Sequence, residues 1–360
     1  MKALYVHVPF CDHICAYCDF MRCGYYEPLA EKWLLAVKRE IQEKKIEECK
    51  TVYIGGGTPS ALSPSLLEQL LELLQPYLKK SDEASIEVNA DSFSDEKLAL
   101  CKRYGINRIS MGAQTFQTDL LKIIDRKADY ATVKDAIMRI HEHGIHDISL
   151  DLMYGLPSQT MKMWLDDLSK AASLPITHLS LYALTIEEHS RFGRVGIQPC
   201  DPDKEADFYE KAIAYLQKQG FEHYEISNFA KNGCYAKHNL MYWHYEDFYG
   251  IGCGASGKSD HMRYDNTRNL HTYLTKGACP NRYLLNRKDE MFETVMMGLR
   301  LRKGIHKQTF YQCFKSDIHD IYRDAIQKHI QLGNLQETAN ELRTTYQGML
   351  ILHDILIDFL

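Results

Sequence analysis

The sequence predicts an α/β protein: an incomplete (β/α)6 barrel related to the TIM barrel, then a smaller C-terminal helical domain with a β-hairpin, of winged-helix shape. Three observations predict it. Six short apolar runs recur through the first half, each separated from the next by a longer stretch of helical periodicity. That alternation is the pattern of parallel βα units. Past about residue 220 it stops, and glycine-dense and then helical segments take over. Finally, Cys11, Cys15 and Cys18 directly follow the first apolar run, and in such barrels chemistry collects where the strands end.

Strands are expected over residues 4–8, 51–54, 85–88, 108–111, 148–153 and 178–182. Helices are expected between them over 26–43, 64–77, 95–104, 130–143 and 161–172, with another over 203–219. Residues 221–229 read as a strand leading to a loop, and 249–257 as a glycine-rich stretch. Helical segments over 290–301, 309–314 and 318–332 precede strand-like alternation in 342–352 and a terminal helix. The chain thus divides into a barrel (1–220), a barrel extension (221–285) and a C-terminal domain (286–360).

At 360 residues the chain is long enough for one large domain and a smaller one. A net charge of −5 offers no basic field for nucleic acid. Met1-Lys2-Ala3-Leu4-Tyr5 runs straight into a predicted strand, so no leader is expected. No apolar run reaches membrane-spanning length. Eleven cysteines without a secretory leader imply reduced thiols and a cytoplasmic location.

The run CDHICAYC gathers three thiols within eight residues. Thiolates hold soft metal centres, and three are one short of the four a four-iron cluster would take. The fourth iron is then open to a small molecule. Two plainer readings stand beside this one: a zinc site with His13 as fourth ligand, or free buried thiols. The spacing C-x3-C-x2-C, with Tyr17 before the last cysteine, resembles that of radical S-adenosylmethionine (SAM) proteins. This resemblance implies a [4Fe-4S] cluster on Cys11, Cys15 and Cys18 with SAM on the open iron.

Gly55-Gly56-Gly57-Thr58-Pro59 follows the second strand. Three glycines allow close backbone approach and expose N–H groups to a ligand. In radical SAM proteins such a turn meets the methionine amino group of SAM, which makes Gly56, Gly57 and Thr58 candidates. Glu87, Gln114, Arg126 and Asp151 fall on or just past later strands. A buried charge is costly without a partner. The plain account of Glu87 and Asp151 is an ion pair with Arg108 or Arg126. The alternative is a shared ligand, because all four converge on the same barrel face. The ammonium, carboxylate and ribose diol of SAM would suit them.

The segments YVHVPFC, GGGTPS, IEVN, SMGAQTF, DLMYGLP, LSLYAL and HNLMYW are similar in order and spacing to the oxygen-independent coproporphyrinogen III oxidase-like family. Within it they most resemble the branch of HemW-type haem chaperones. By this match Tyr5 and Tyr17 flank the cluster and SAM, and Glu87, Gln114, Arg126 and Asp151 align with SAM-contacting positions. The oxidase branch has a further cysteine where this chain has Phe20, and an extension before the first strand. Cys23 does not take that cysteine's place, and Ala90 replaces a common proline. The run His238-Asn239-x-x-Tyr242-Trp243 matches a motif linked with haem binding, and imidazole and aromatic faces suit a haem. The alternative is a packed, hydrogen-bonded His238 and a core Trp243, with His244, His261 and Cys234 left as other candidates for the iron. The resemblance implies a cytoplasmic haem chaperone that passes haem to acceptor apo-haemoproteins, membrane-associated ones included. Its rival is oxidative decarboxylation of coproporphyrinogen III.

Overall fold

A computed structural model describes residues 2–360. Six parallel strands lie side by side in chain order: β1 (Lys2–Val8), β2 (Cys49–Gly56), β3 (Glu83–Val88), β4 (Arg108–Gln114), β5 (Asp147–Tyr154) and β6 (His178–Ala183). Between them run α1 (Glu27–Lys44), α2 (Pro64–Leu78), α3 (Asp95–Arg103), α4 (Thr118–Ile123), α5 (Tyr130–Glu142) and α6 (Met161–Ala172). Only α4 lacks a counterpart among the expected helices. Ser63, Ser94, Asp129 and Thr160 each accept a hydrogen bond from a backbone N–H of the first turn they precede, which fixes where α2, α3, α5 and α6 begin.

Side chains alternate along a strand, and here the two faces differ in kind. Val6, Val52, Ile86, Ile109, Leu150 and Leu179 are fully buried in the main hydrophobic core. The residues on the other face are polar or small: Tyr5 and His7, Thr51 and Tyr53, Ser85 and Glu87, Ser110 and Gly112, Ser149 and Asp151, His178 and Ser180. A TIM-type interior is ordinarily filled by bulky aliphatic side chains. A polar interior is built to meet a ligand.

The sheet does not close. Its edges are completed by residues 221–285, which supply strands to both. At the β6 edge stand β7 (Glu222–His223) and β8 (Asn228–Ala230), antiparallel, so the strand expected over 221–229 is broken by a turn. At the β1 edge β9 (Phe248–Ile251) pairs in parallel. It is followed by the antiparallel β10 (Ser256–Ser259), β11 (Met262–Asp265) and β12 (Asn281–Leu284). Gly250 is obligatory where β9 meets β10, because a Cβ there would lie 1.7 Å from the Ser256 carbonyl oxygen. A short helix, α7 (Lys237–Trp243), crosses from one edge to the other beneath the barrel and packs on β1 and β2.

The C-terminal residues have their own core around Val295, Phe310, Ile326, Leu342 and Ile355. Helices Lys307–Phe314 and Ile318–Gln331 precede a hairpin of Leu335–Glu337 and Glu341–Thr344, with Ile305–His306 as third strand. This is the expected winged-helix arrangement. The alternation read over 342–352 ends early, because Thr345 accepts from the Gly348 N–H and starts the helix Tyr346–Leu350. Among the described residues no helix is long and apolar enough to cross a membrane.

Candidate cluster and SAM site

The cysteine loop leaves β1 at the barrel mouth and returns through a two-residue parallel pairing of Phe10–Cys11 with Cys23–Gly24. Cys11 is buried, whereas Cys15 and Cys18 are half-buried. Burial pushes the Cys11 thiol up to about 11, opposed in part by a hydrogen bond from Thr58 Oγ1 to its Sγ (3.6 Å). Burial raises Cys18 as well. Arg126 Nη1 donates to Cys15 Sγ at 3.7 Å. His13 is exposed. Among the described residues no three His, Cys, Asp or Glu side chains gather to hold a metal ion. A four-iron cluster does not need such a gathering, because each thiolate binds a different iron.

The glycine turn is pressed onto this loop. Gly57 N donates to the Val8 carbonyl (2.8 Å) and Thr58 N to that of Phe10 (2.7 Å). Gly56 N donates to Glu87 Oε2 (3.0 Å). The expectation that these N–H groups face a ligand is therefore corrected: all three are engaged within the protein. The glycines serve proximity. Gly56 has φ +110°, and its Cβ would lie 2.5 Å from His7 Nδ1. A Cβ on Gly55 would fall 2.8 Å from the Glu87 carboxyl.

Glu87 accepts from Tyr53 Oη (2.7 Å), and Asp151 accepts from Ser110 Oγ (3.4 Å to each oxygen). The ion-pair account does not hold for either. Arg108 instead meets Asp147 at 2.7 Å and Glu83 at 4.0 Å. Arg126 donates to Asn89 Oδ1 (3.1 Å) and to the Gly112 carbonyl. Among the described residues, Glu87, Asp151 and Arg126 form no ion pair within 4 Å. Gln114 ends β4 with φ +69° and leaves its buried Oε1 without a partner. Ala90 is buried, and its turn is closed by Ser92 N donating to the Asn89 carbonyl (3.2 Å).

Two carboxyls without an ion-pair partner, an arginine without a carboxylate and an orphaned acceptor thus lie together at the barrel mouth beside three thiols. This set fits a ligand bearing both an anionic group and several donors, as SAM does. Tyr5 stands deeper, stacked with Tyr53 and bonded to His7 Nδ1 (3.0 Å). Tyr17 packs near Leu120 and Ile124, behind the cysteine loop.

Burial, first, raises Glu87 to about 7 and Asp151 to about 6. A carboxyl raised on folding stabilises the fold below its unfolded value and loses that contribution as pH rises through the folded value. Ligand donors require the ionised form. SAM affinity, measured by equilibrium dialysis, is therefore expected to rise several-fold between pH 5.5 and pH 8. The thermal stability of the ligand-free protein should fall over that interval. A flat affinity profile would exclude these carboxyls as ligand acceptors.

His238 lies at the barrel floor, away from the thiols. It is buried, its Nδ1 bonded to Thr51 Oγ1 (2.9 Å) and its Nε2 to Tyr242 Oη (2.8 Å). The reading of His238 as an iron ligand is thereby corrected: neither ring nitrogen is offered, and the packed alternative describes it. Asn239, Tyr242 and Trp243 are half-buried. Trp243 has the Arg300 guanidinium 4.4 Å from its ring centroid and leaves its buried indole N–H unpartnered. His244 is exposed, and His261 bonds Glu290 Oε1 at 2.9 Å.

Sequence reasoning missed Tyr53, Asn89, Ser110 and Thr51. Strand parity could have found them, since Thr51 and Tyr53 share a face of β2 and Asn89 lies two residues beyond Glu87.

A thiol-bearing loop after the first strand of an open polar barrel defines the class, a radical SAM protein, and residues 5–171 match the Radical SAM superfamily profile. Residues 285–351 match the HemN C-terminal domain. The chain is 36% identical to the heme chaperone HemW of Lactococcus lactis over 100% of this chain and 97% of that protein. It is 34% identical to the Bacillus subtilis protein of the same name, over 100% and 99%. The chain belongs to the HemW family. Its fold matches that of the Escherichia coli coproporphyrinogen III oxidase HemN, with a TM-score of 0.86 at 21% identity over 99% of this chain and 90% of that one.

Proposed function

We propose that this protein is a haem chaperone built on a radical SAM scaffold. It would hold a [4Fe-4S] cluster on Cys11, Cys15 and Cys18, bind SAM, and carry haem to an acceptor apo-haemoprotein. Membership of the HemW family carries the chaperone reading. The single structural observation behind the cofactor reading is the polar cluster beside the thiol loop, in which Glu87 and Asp151 form no ion pair, Arg126 meets no carboxylate and Gln114 Oε1 has no hydrogen-bond partner. A cluster with SAM supplies reducing and radical chemistry when bound. This chain's residues would orient SAM, with Arg126 toward its carboxylate and Glu87 and Asp151 toward its hydroxyl or ammonium donors.

Haem is assigned to the segment around Asn239, Tyr242 and Trp243. His238 is held inside, so exposed His244 is the imidazole proposed for the iron, and Trp243 the aromatic face. The test uses reconstituted protein. With SAM and an electron donor, coproporphyrinogen III should yield no protoporphyrinogen IX, while bound haem should pass to an apo-haemoprotein. His244→Ala should shift the Soret band and weaken haem binding about tenfold. Sustained decarboxylation, with 5′-deoxyadenosine formed in step, would establish the oxidase instead.

A further inference from the structure

We infer that His238 is a positioning residue for the SAM cradle: from the barrel floor it fixes Tyr53, and through Tyr53 the carboxylate of Glu87 beneath the glycine turn. The inference rests on the SAM reading of Glu87 given above.

The imidazole is held against rotation at two points, and its backbone is held at a third. Thr51 Oγ1 meets Nδ1 at 2.9 Å, Tyr242 Oη meets Nε2 at 2.8 Å, and the His238 backbone N–H donates to Glu83 Oε1 at 2.9 Å. A neutral imidazole donates from one nitrogen and accepts at the other, so both hydroxyls have a fixed role. Burial, which lowers His238 to about 3, keeps the ring neutral.

What the ring holds is specific. It stacks with Tyr53, centroids 5.1 Å apart and planes 29° from parallel. Thr51 and Tyr53 are two apart on β2, so the residue that anchors the imidazole and the residue it stacks on share one face of one strand. Tyr53 Oη then donates to Glu87 Oε1 at 2.7 Å, and Glu87 Oε2 accepts from Gly56 N at 3.0 Å. The path from floor to turn is continuous, with every step a direct contact. A floor needed only to exclude water would be satisfied by an aliphatic side chain. A hydrogen-bonded imidazole that stacks with the tyrosine of Glu87 adds orientation, which a ligand site requires.

The experiment uses full-length protein with its cluster reconstituted. SAM affinity is measured by dialysis with labelled SAM, iron content by assay and haem binding by the Soret band. Tyr53→Phe is expected to weaken SAM about tenfold, the effect of a lost hydrogen bond to a charged group, and His238→Ala, which removes the ring that Tyr53 stacks on, by up to as much, with iron content and Soret band unchanged in both. Because both act through Glu87, the double variant should be no weaker than the weaker single one. A merely structural role would give additive losses.

Tyr242→Phe releases only the bond at Nε2, and is expected to weaken SAM about threefold without loss of iron. It carries the test should His238→Ala fail to fold. Unchanged SAM affinity in Tyr242→Phe and Tyr53→Phe would overturn the proposal, as would loss of the Soret band in His238→Ala with SAM binding intact. If Glu87→Ala itself leaves SAM affinity unchanged, the SAM reading of the polar cluster fails, a distinct result.

Discussion

Protein carrying Cys11→Ala, Cys15→Ala or Cys18→Ala is expected to retain essentially no four-iron cluster after anaerobic reconstitution, against about four irons per chain for the parent. With a thiolate removed, the centre has two protein ligands and a second open iron. Cys11 also has the least freedom to be replaced. It is buried and joined to Gly24 by backbone pairing, and Thr58 Oγ1 is directed at its sulfur. Burial keeps that thiol protonated, raised to about 11, so cluster assembly must release a proton there. Cys23→Ala should keep its iron. Although Cys23 is only five residues from Cys18 in sequence, its side chain packs against the main core with Met21. Iron and sulfide analysis with the cluster's absorption band decides the matter. Loss of iron in Cys23→Ala equal to that in Cys15→Ala would mean the ligand set is wrong.

The position of the cysteine loop could be read from the sequence because it depends on local order alone: a strand, then thiols, then a helix. The six βα units could be read for the same reason. Two strands at the β6 edge could be read only as one, over 221–229. Glu222–His223 and Asn228–Ala230 are too short to show periodicity, and what makes them strands is pairing, Asn228–Ala230 with β6 and Glu222–His223 with Asn228–Ala230. The site was partly open to reading. Glu87 and Asp151 stood out as charges in buried strands, but their lack of a cationic partner is a three-dimensional fact. Arg108 was an equal candidate until Asp147 and Glu83 occupied it. His238 shows the opposite failure. The match of His238-Asn239-x-x-Tyr242-Trp243 to a haem-linked motif favoured a haem ligand over a packed histidine, and nothing local reveals that Thr51, nearly two hundred residues earlier, holds Nδ1.

Gly57→Ala is expected to abolish SAM binding and to reduce retained iron, while Gly24→Ala leaves both unchanged. Gly57 does not have a positive φ, so backbone conformation is not the obstacle. Contact is. A Cβ there would lie 2.7 Å from the Phe10 carbonyl oxygen and 2.9 Å from that of Val8. Both are backbone atoms of the segment that leads into Cys11, and neither can turn aside as a side chain could. Relief requires the cysteine loop and the glycine turn to part, which breaks the hydrogen bonds from Gly57 N and Thr58 N. Overpacking of this kind costs about 1–3 kcal/mol of stability. The functional loss should be larger, because a separation of under an ångström displaces the cluster from the carboxyls that face it. Gly24 lies across the same short pairing, beside Cys11, yet a Cβ on it meets nothing within 4 Å. It tests whether any added methyl near the loop is harmful. Equal losses from Gly24→Ala and Gly57→Ala, measured as iron per chain and SAM bound per cluster, would deny the turn its part in joining the two halves of the site.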